Sequence, residues 1–237
     1  MPPIVKNLIF INILMLLAYY AVGSVFDIDL NRLLGLYFPK SEMFKPIQIL
    51  THMFMHGGFT HLFFNMFALY MFGQVLEQVW GPRRFLIYYF VCGLGAMVVH
   101  EGVIAYQYHQ VMSVINPEQL QEVLDNGVNY ALQGKVYTDP LMRELQSILS
   151  TPTVGASGAI FGVLLAFGVL FPNTQLMLLF PPIPLKAKYF VMIYGGLELY
   201  LAVTQPGSSI AHAAHLGGML FGYILIRVWR KTSNTLF

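Results

Sequence analysis

Five polar side chains lie in stretches of this chain that are otherwise apolar. Ser157 sits between Gly155 and Gly158, His212 and His215 fall in Ala211-His-Ala-Ala-His-Leu-Gly-Gly218, and His61 and Asn65 bracket Leu-Phe-Phe. A polar group in an apolar helix costs free energy, so each is a functional candidate by default. A serine hydroxyl becomes a nucleophile when a neighbouring base takes its proton, and an imidazole is the usual base. His61 and Asn65, four residues apart, share one helix face. Both can donate hydrogen bonds without carrying a permanent charge, which suits the stabilisation of an oxyanion. Each motif also has a plainer reading: a small packing residue for Ser157, a capping or core imidazole for His215, an interhelical clamp for His61 and Asn65. The glycines shift the balance. Gly158 and Gly162 continue from Ser157, and Gly218 and Gly222 continue the His215 face, so two smooth strips can bring their helices together and set the hydroxyl beside the ring.

Other chemistry finds less support. His52, His56 and His61 precede the His212 and His215 pair, yet there is no HExxH motif and no acidic residue within one turn of either histidine pair, so a catalytic zinc is disfavoured. The single cysteine, Cys92, leaves no intrachain disulfide framework and no CxxC motif. It reads as a small core residue. His100 and His109 show no pattern and are placed at an interface. Glu77 and Glu198 lie in apolar runs, where helix-end snorkelling or an interhelical hydrogen bond is the default.

The elements that must position these groups are membrane helices. Of the 237 residues, 57% are hydrophobic and only 10% charged, against about 25% charged in soluble domains. That deficit excludes disorder and argues against a water-soluble globule. A net charge of +2 is too small to suggest nucleic-acid binding. Six spans are expected, over residues 7–26, 61–80, 85–106, 157–172, 189–204 and 211–229, in a single all-α membrane domain. The first is too long for a signal-peptide core and has no A-x-A site after it. Gly81-Pro82-Arg83-Arg84 is a stop between the second and third. Residues 27–60 form a first loop able to dip into the membrane only if packed on protein. Residues 107–151 form an outer insertion with short amphipathic helices. No internal repeat is evident, which weakens a transporter of duplicated halves. With the N-terminus inside, the cytoplasmic face receives Lys6, Arg83, Arg84, Lys186, Lys188, Arg227, Arg230 and Lys231, eight of the thirteen basic residues, so both termini are expected in the cytoplasm.

The fourth span is short. Ser157 to Phe171 is about 22 Å of helix against about 30 Å of hydrocarbon. Its first turn therefore lies below the outer surface, where free amides need partners and a water-filled cavity is expected. Ser157 would sit at that helix N-terminus, which favours developing negative charge.

Gly155-Ala-Ser157-Gly158, His61-xxx-Asn65 and Ala214-His215-xx-Gly218-xxx-Gly222, in this order and in spans four, two and six, resemble the signature of the rhomboid family of intramembrane serine proteases. The resemblance covers about residues 44–230. It implies a six-helix bundle of the bacterial inner membrane and an endopeptidase that cuts membrane-protein substrates whose transmembrane helices unwind readily, without a cofactor. It implies Ser157 as nucleophile and His215 as general base, a dyad with no acidic third member, with Phe161 stacked on the imidazole. His61, Asn65 and the Ser157 amide would be the oxyanion donors. The fifth helix and the loop 204–210 resemble the family's substrate gate and cap. Ile47-Gln48 stand where many members carry Trp-Arg in the first loop. Every catalytic position is filled, which argues against an inactive homologue. The alternatives are a rhomboid-like chaperone that holds a client helix uncut, and a small transporter.

Overall fold

The computed structural model describes residues 1–177, 182–205 and 211–232. Helices dominate. They are α1 (Pro3–Phe26), α2 (Leu30–Leu34), α3 (Gln48–Thr51) running into a 3₁₀ turn (His52–Phe54), α4 (Phe59–Ala68), a π turn (Leu69–Gly73), α5 (Gln74–Trp80) and α6 (Pro82–Met112). There follow α7 (Pro117–Leu132), α8 (Pro140–Ser150), α9 (Ser157–Leu170), α10 (Ala187–Thr204) and α11 (His212–Thr232). A two-stranded antiparallel ribbon, β1 (Gln175–Met177) with β2 (Pro184–Lys186), joins α9 to α10. The sequence pattern gives no sign of it.

Local chemistry sets the boundaries. α6, α7 and α8 begin on a proline, whose missing N–H is harmless in a first turn. Asn116 and Asp139 cap α7 and α8 by accepting from the amides of Gln119 and Met142 at 2.8 and 3.0 Å. Gly81 turns the chain between α5 and α6 with φ +77°, a conformation that glycine takes without a side-chain clash. Two helices run furthest beyond the spans expected from sequence. The one at 85–106 extends from Pro82 to Met112. The first starts at Pro3 rather than 7, because the Glu77 carboxylate accepts from the amides of Ile4 and Val5 at 2.9 and 2.8 Å and so caps α1 from across the bundle.

Among the described residues, three helices are long and apolar enough to cross a membrane by length and composition: Pro3–Phe26, Phe59–Trp80 (α4, the π turn and α5 together) and Pro82–Met112. Outward-facing apolar side chains are abundant, including Phe10, Leu14 and Leu17 on α1, Phe59, Phe63, Phe64 and Phe67 on α4, and Met192, Ile193 and Val203 on α10. Such a surface is stable only in lipid. The protein is an integral membrane protein.

Small residues hold the centre. α9 is wedged against α6 and α11. A Cβ at Gly158 would overlap that of Ala96, one at Gly162 would overlap Cys92, and one at Gly218 would fall on the Gly158 carbonyl. The strips expected to face each other thus form a three-helix seam, with Cys92 filling the space that Gly162 and Gly222 leave. Tyr88 of α6 crosses it to donate to the Gly162 carbonyl at 2.9 Å. A second, smaller core lies outside the bundle, where Val123, Leu145, Ile148 and Leu149 of α7 and α8 pack with Phe38 of the first loop and Val111 at the end of α6. The Ser41 hydroxyl, which donates to the Leu149 carbonyl, ties the loop to α8.

Candidate functional site

Ser157 is the first residue of α9, and the strap before it is fixed from three sides. Thr153 forms a backbone bridge with Leu36 of the first loop, donating at 2.7 Å and accepting at 2.9 Å. Its hydroxyl pairs with Nε2 of His100 on α6 at 3.0 Å. The Gly155 amide donates to the His52 carbonyl at 2.9 Å. Gly155 has φ +130°, and any Cβ there would meet the His61 ring at 2.9 Å, so the bend before the serine demands glycine twice over. His100, placed at an interface from sequence, is half-buried and holds this strap.

His215 lies in the first turn of α11. Its Nε2 is 2.9 Å from the Ser157 Oγ. The Phe161 ring lies over the imidazole with centroids 4.1 Å apart and planes within 8°. The seam makes this approach feasible, because Gly158 and Gly218 let two backbones touch one turn below the pair. The structure brings Ser157, His215 and Phe161 together, the first two where the glycine strips pointed and the third where the family resemblance put it.

His61 stands across Gly155 from the serine, on the first turns of α4. Asn65, one turn on, is buried, and its Nδ2 has no hydrogen-bond partner. A buried amide donor left unpaired costs about 1–3 kcal/mol, so this donor is poised for an acceptor that a bound carbonyl could supply. Against the His61 ring, with centroids 5.0 Å apart, burial and that neighbour push the imidazole of His56 in the first loop down to about 4, leaving it neutral at physiological pH. A cavity of about 20 Å³, room for roughly one water, lies behind Ser157 and is lined in part by Leu36, His52, His100, Thr153 and Ala214.

The geometry departs from the expected dyad in one respect. Sequence spacing puts no acid near His212 or His215, but α10 delivers one through space. The Glu198 Oε2 lies 2.6 Å from Nδ1 of His212 and 2.9 Å from Nδ1 of His215. All three donor atoms fall within 4.8 Å of one another. Separations of 2.6 and 2.9 Å are hydrogen-bond and ion-pair distances, so the carboxylate sits between the two imidazoles.

Sequence reasoning also missed the anchor of the first loop. Gln48 is fully buried. Its Oε1 accepts from the Lys45 amide at 2.9 Å, and its Nε2 donates to the Leu33 and Met43 carbonyls at 3.2 and 3.1 Å. One uncharged side chain thus closes the loop on itself. The signal was a lone amide among Ile47, Ile49 and Leu50. The fifth expected span coincides with α10, whereas most of the loop 204–210 lies outside the described residues.

Comparison with known proteins gives the family. A family profile described as Rhomboid domain matches residues 44–232. The chain is 29% identical over 170 residues to RHOMBOID-like protein 12, mitochondrial, of Arabidopsis thaliana, covering 72% of this chain and 42% of that protein. It is 26% identical over 185 residues to Rhomboid protein 1, mitochondrial, of Saccharomyces cerevisiae, covering 78% and 42%. It is 24% identical over 180 residues to Rhomboid protease AarA of Providencia stuartii, covering 73% and 52%. The chain thus spans about half the length of these relatives.

Proposed function

This chain belongs to the rhomboid family, and from that premise we propose that it is an intramembrane serine endopeptidase with Ser157 as nucleophile and His215 as general base. The observation that carries this reading is the 2.9 Å contact between Ser157 Oγ and His215 Nε2, with the ring held flat against Phe161. A substrate transmembrane helix reaches the site between α4 and α10 and unwinds locally, so substrates are membrane proteins with easily destabilised helices. Ser157 attacks the scissile carbonyl while His215 takes its proton. Negative charge collects on the carbonyl oxygen, toward Asn65 Nδ2, the His61 ring and the Ser157 amide. Losing one such donor typically slows the reaction by about 10²–10³. His215 then protonates the leaving amine, and water hydrolyses the acyl-enzyme. The excess of basic residues on one side supports cytoplasmic termini, and the membrane in this reading is a bacterial inner membrane.

Gly158, Gly162, Gly218 and Gly222 support the site by letting the three helices meet, and Gly155 by making the bend before Ser157. No cofactor enters the reaction, so activity is expected to persist in EDTA. The test is cleavage of a transmembrane test substrate by the detergent-purified protein. Ser157→Ala should abolish cleavage, and with it labelling of Ser157 by a fluorophosphonate, while the melting temperature stays unchanged. Equal cleavage by the two proteins would remove Ser157 as nucleophile. Client binding without cleavage by the wild type would favour a rhomboid-like chaperone instead.

A further inference from the structure

Among the described residues, Glu198 supplies the only carboxylate in contact with the His215 ring, and it comes from a different helix. Its side chain is 8% exposed. An ionised carboxylate can only accept hydrogen bonds, and a neutral imidazole carries one N–H. The 2.6 Å contact to His212 is an aligned hydrogen bond, which fixes the carboxylate in place. The 2.9 Å contact to His215 lies at ion-pair distance without an in-line N–H. Glu198 therefore acts on His215 through its charge. That charge favours the proton on Nδ1, the nearer nitrogen, and leaves the Nε2 lone pair facing the Ser157 hydroxyl. It also favours the imidazolium that forms when the serine proton moves.

Resting on the serine-peptidase reading, we infer that Glu198 is a positioning residue for that reaction, held by His212, which selects the Nδ1-protonated form of His215 and stabilises its protonated state. Phe161 fixes the plane of the ring, and Glu198 fixes which nitrogen is free. The titratable groups that face His215 are Glu198 on α10, His212 on its own helix, His61 on α4, His100 on α6 and Ser157 on α9. Of these Glu198 alone is a carboxylate. Since α10 buries only Ala187, Val191 and Glu198, the position of this loosely embedded helix decides whether the charge is in place.

The experiment compares wild type, Glu198→Gln and Glu198→Asp as full chains in detergent. Glu198→Gln should keep KM within about twofold and lower kcat about 10- to 100-fold. The acid limb of its kcat/KM profile should move about one unit lower, because the imidazolium loses its counter-charge. Glu198→Asp should recover part of kcat and most of the limb position. Wild-type kcat in Glu198→Gln would overturn the inference, and so would a fall in kcat with an unmoved acid limb. An independent readout leaves Glu198 intact: ¹⁵N NMR of His215 in Ser157→Ala should show the proton on Nδ1, and a proton on Nε2 would overturn the inference even if Glu198→Gln failed to fold. Failure of the peptidase reading is distinct. It would appear as wild-type protein that neither cleaves nor labels at Ser157.

Discussion

α9 and α10 both border the site but are built oppositely. α9 is 14 residues long and buries ten of them, while α10 is 18 residues long and buries three. Gly158 and Gly162 of α9 are filled by Ala96, Cys92 and the backbone of α11, and Gly168 by Val191 at the start of α10, whereas Gly196 further along α10 has open space around it. Dense packing around α9 resists displacement, because cores transmit strain rather than absorb it. α10 turns Met192, Ile193, Tyr200 and Val203 outward, contacts that lipid can replace. The nucleophile thus rides on the element that cannot yield, and the carboxylate beside its base rides on the one that can.

This contrast can be broken by making the same substitution on both sides. Gly218→Ala puts a methyl group onto the Gly158 carbonyl and should cost about 3 kcal/mol or more of stability and most activity. Gly196→Ala should stay within about 0.5 kcal/mol of wild type, or stabilise through better helix propensity. Thermal unfolding in detergent reads both, and comparable losses would end the distinction. The rigid side extends to the first loop, so Gln48→Ala, which strands the Lys45 amide and two carbonyls, should cost about 1–3 kcal/mol and lower activity without touching Ser157. Unchanged melting would mean that the loop is held elsewhere.

Acid should loosen the same side. The His56 imidazole titrates near 4 when folded and near 6.5 when unfolded, so the unfolded chain binds more protons between those values and stability falls as pH drops through the window. The loss between pH 7 and pH 5.5 is about 1 kcal/mol. His56→Gln should flatten melting temperature against pH over that range, and an unaltered slope would assign it to other groups. The smallest expected effect is at the seam. Tyr88→Phe removes one buried hydrogen bond and should cost about 0.5–1 kcal/mol, against no change for Tyr200→Phe on the exposed face of α10.

The parts of the site legible in the sequence share one property: their spacing is local. His61 with Asn65, and His215 with Gly218, are each within about one helical turn, so helix periodicity alone puts them on common faces, whereas Phe161 came from the family resemblance. The contact between Ser157 and His215 was accessible only because glycine strips mark where helices touch. Glu198 escaped because it lies 14 residues before His212 and on another helix. Nothing in its neighbours reveals which way α10 is rotated, and an isolated carboxylate in an apolar run has several solutions. Gln48 and Glu77 are similar, because their partners are backbone atoms, which leave no mark in the side-chain pattern. The outer insertion shows the same limit. Its amphipathic helices were readable, but their shared core with Phe38 depends on how the first loop folds back.

The seam has a practical corollary. The chain has a single cysteine, Cys92, and it is fully buried beside Gly162 and Gly222. Thiol reagents in solution should ignore it, so the native sequence serves as its own silent background. A cysteine introduced at Gly196 would be the sole labelling point for a spin label or fluorophore, which would allow the excursions of α10 to be timed against turnover in an otherwise unaltered protein.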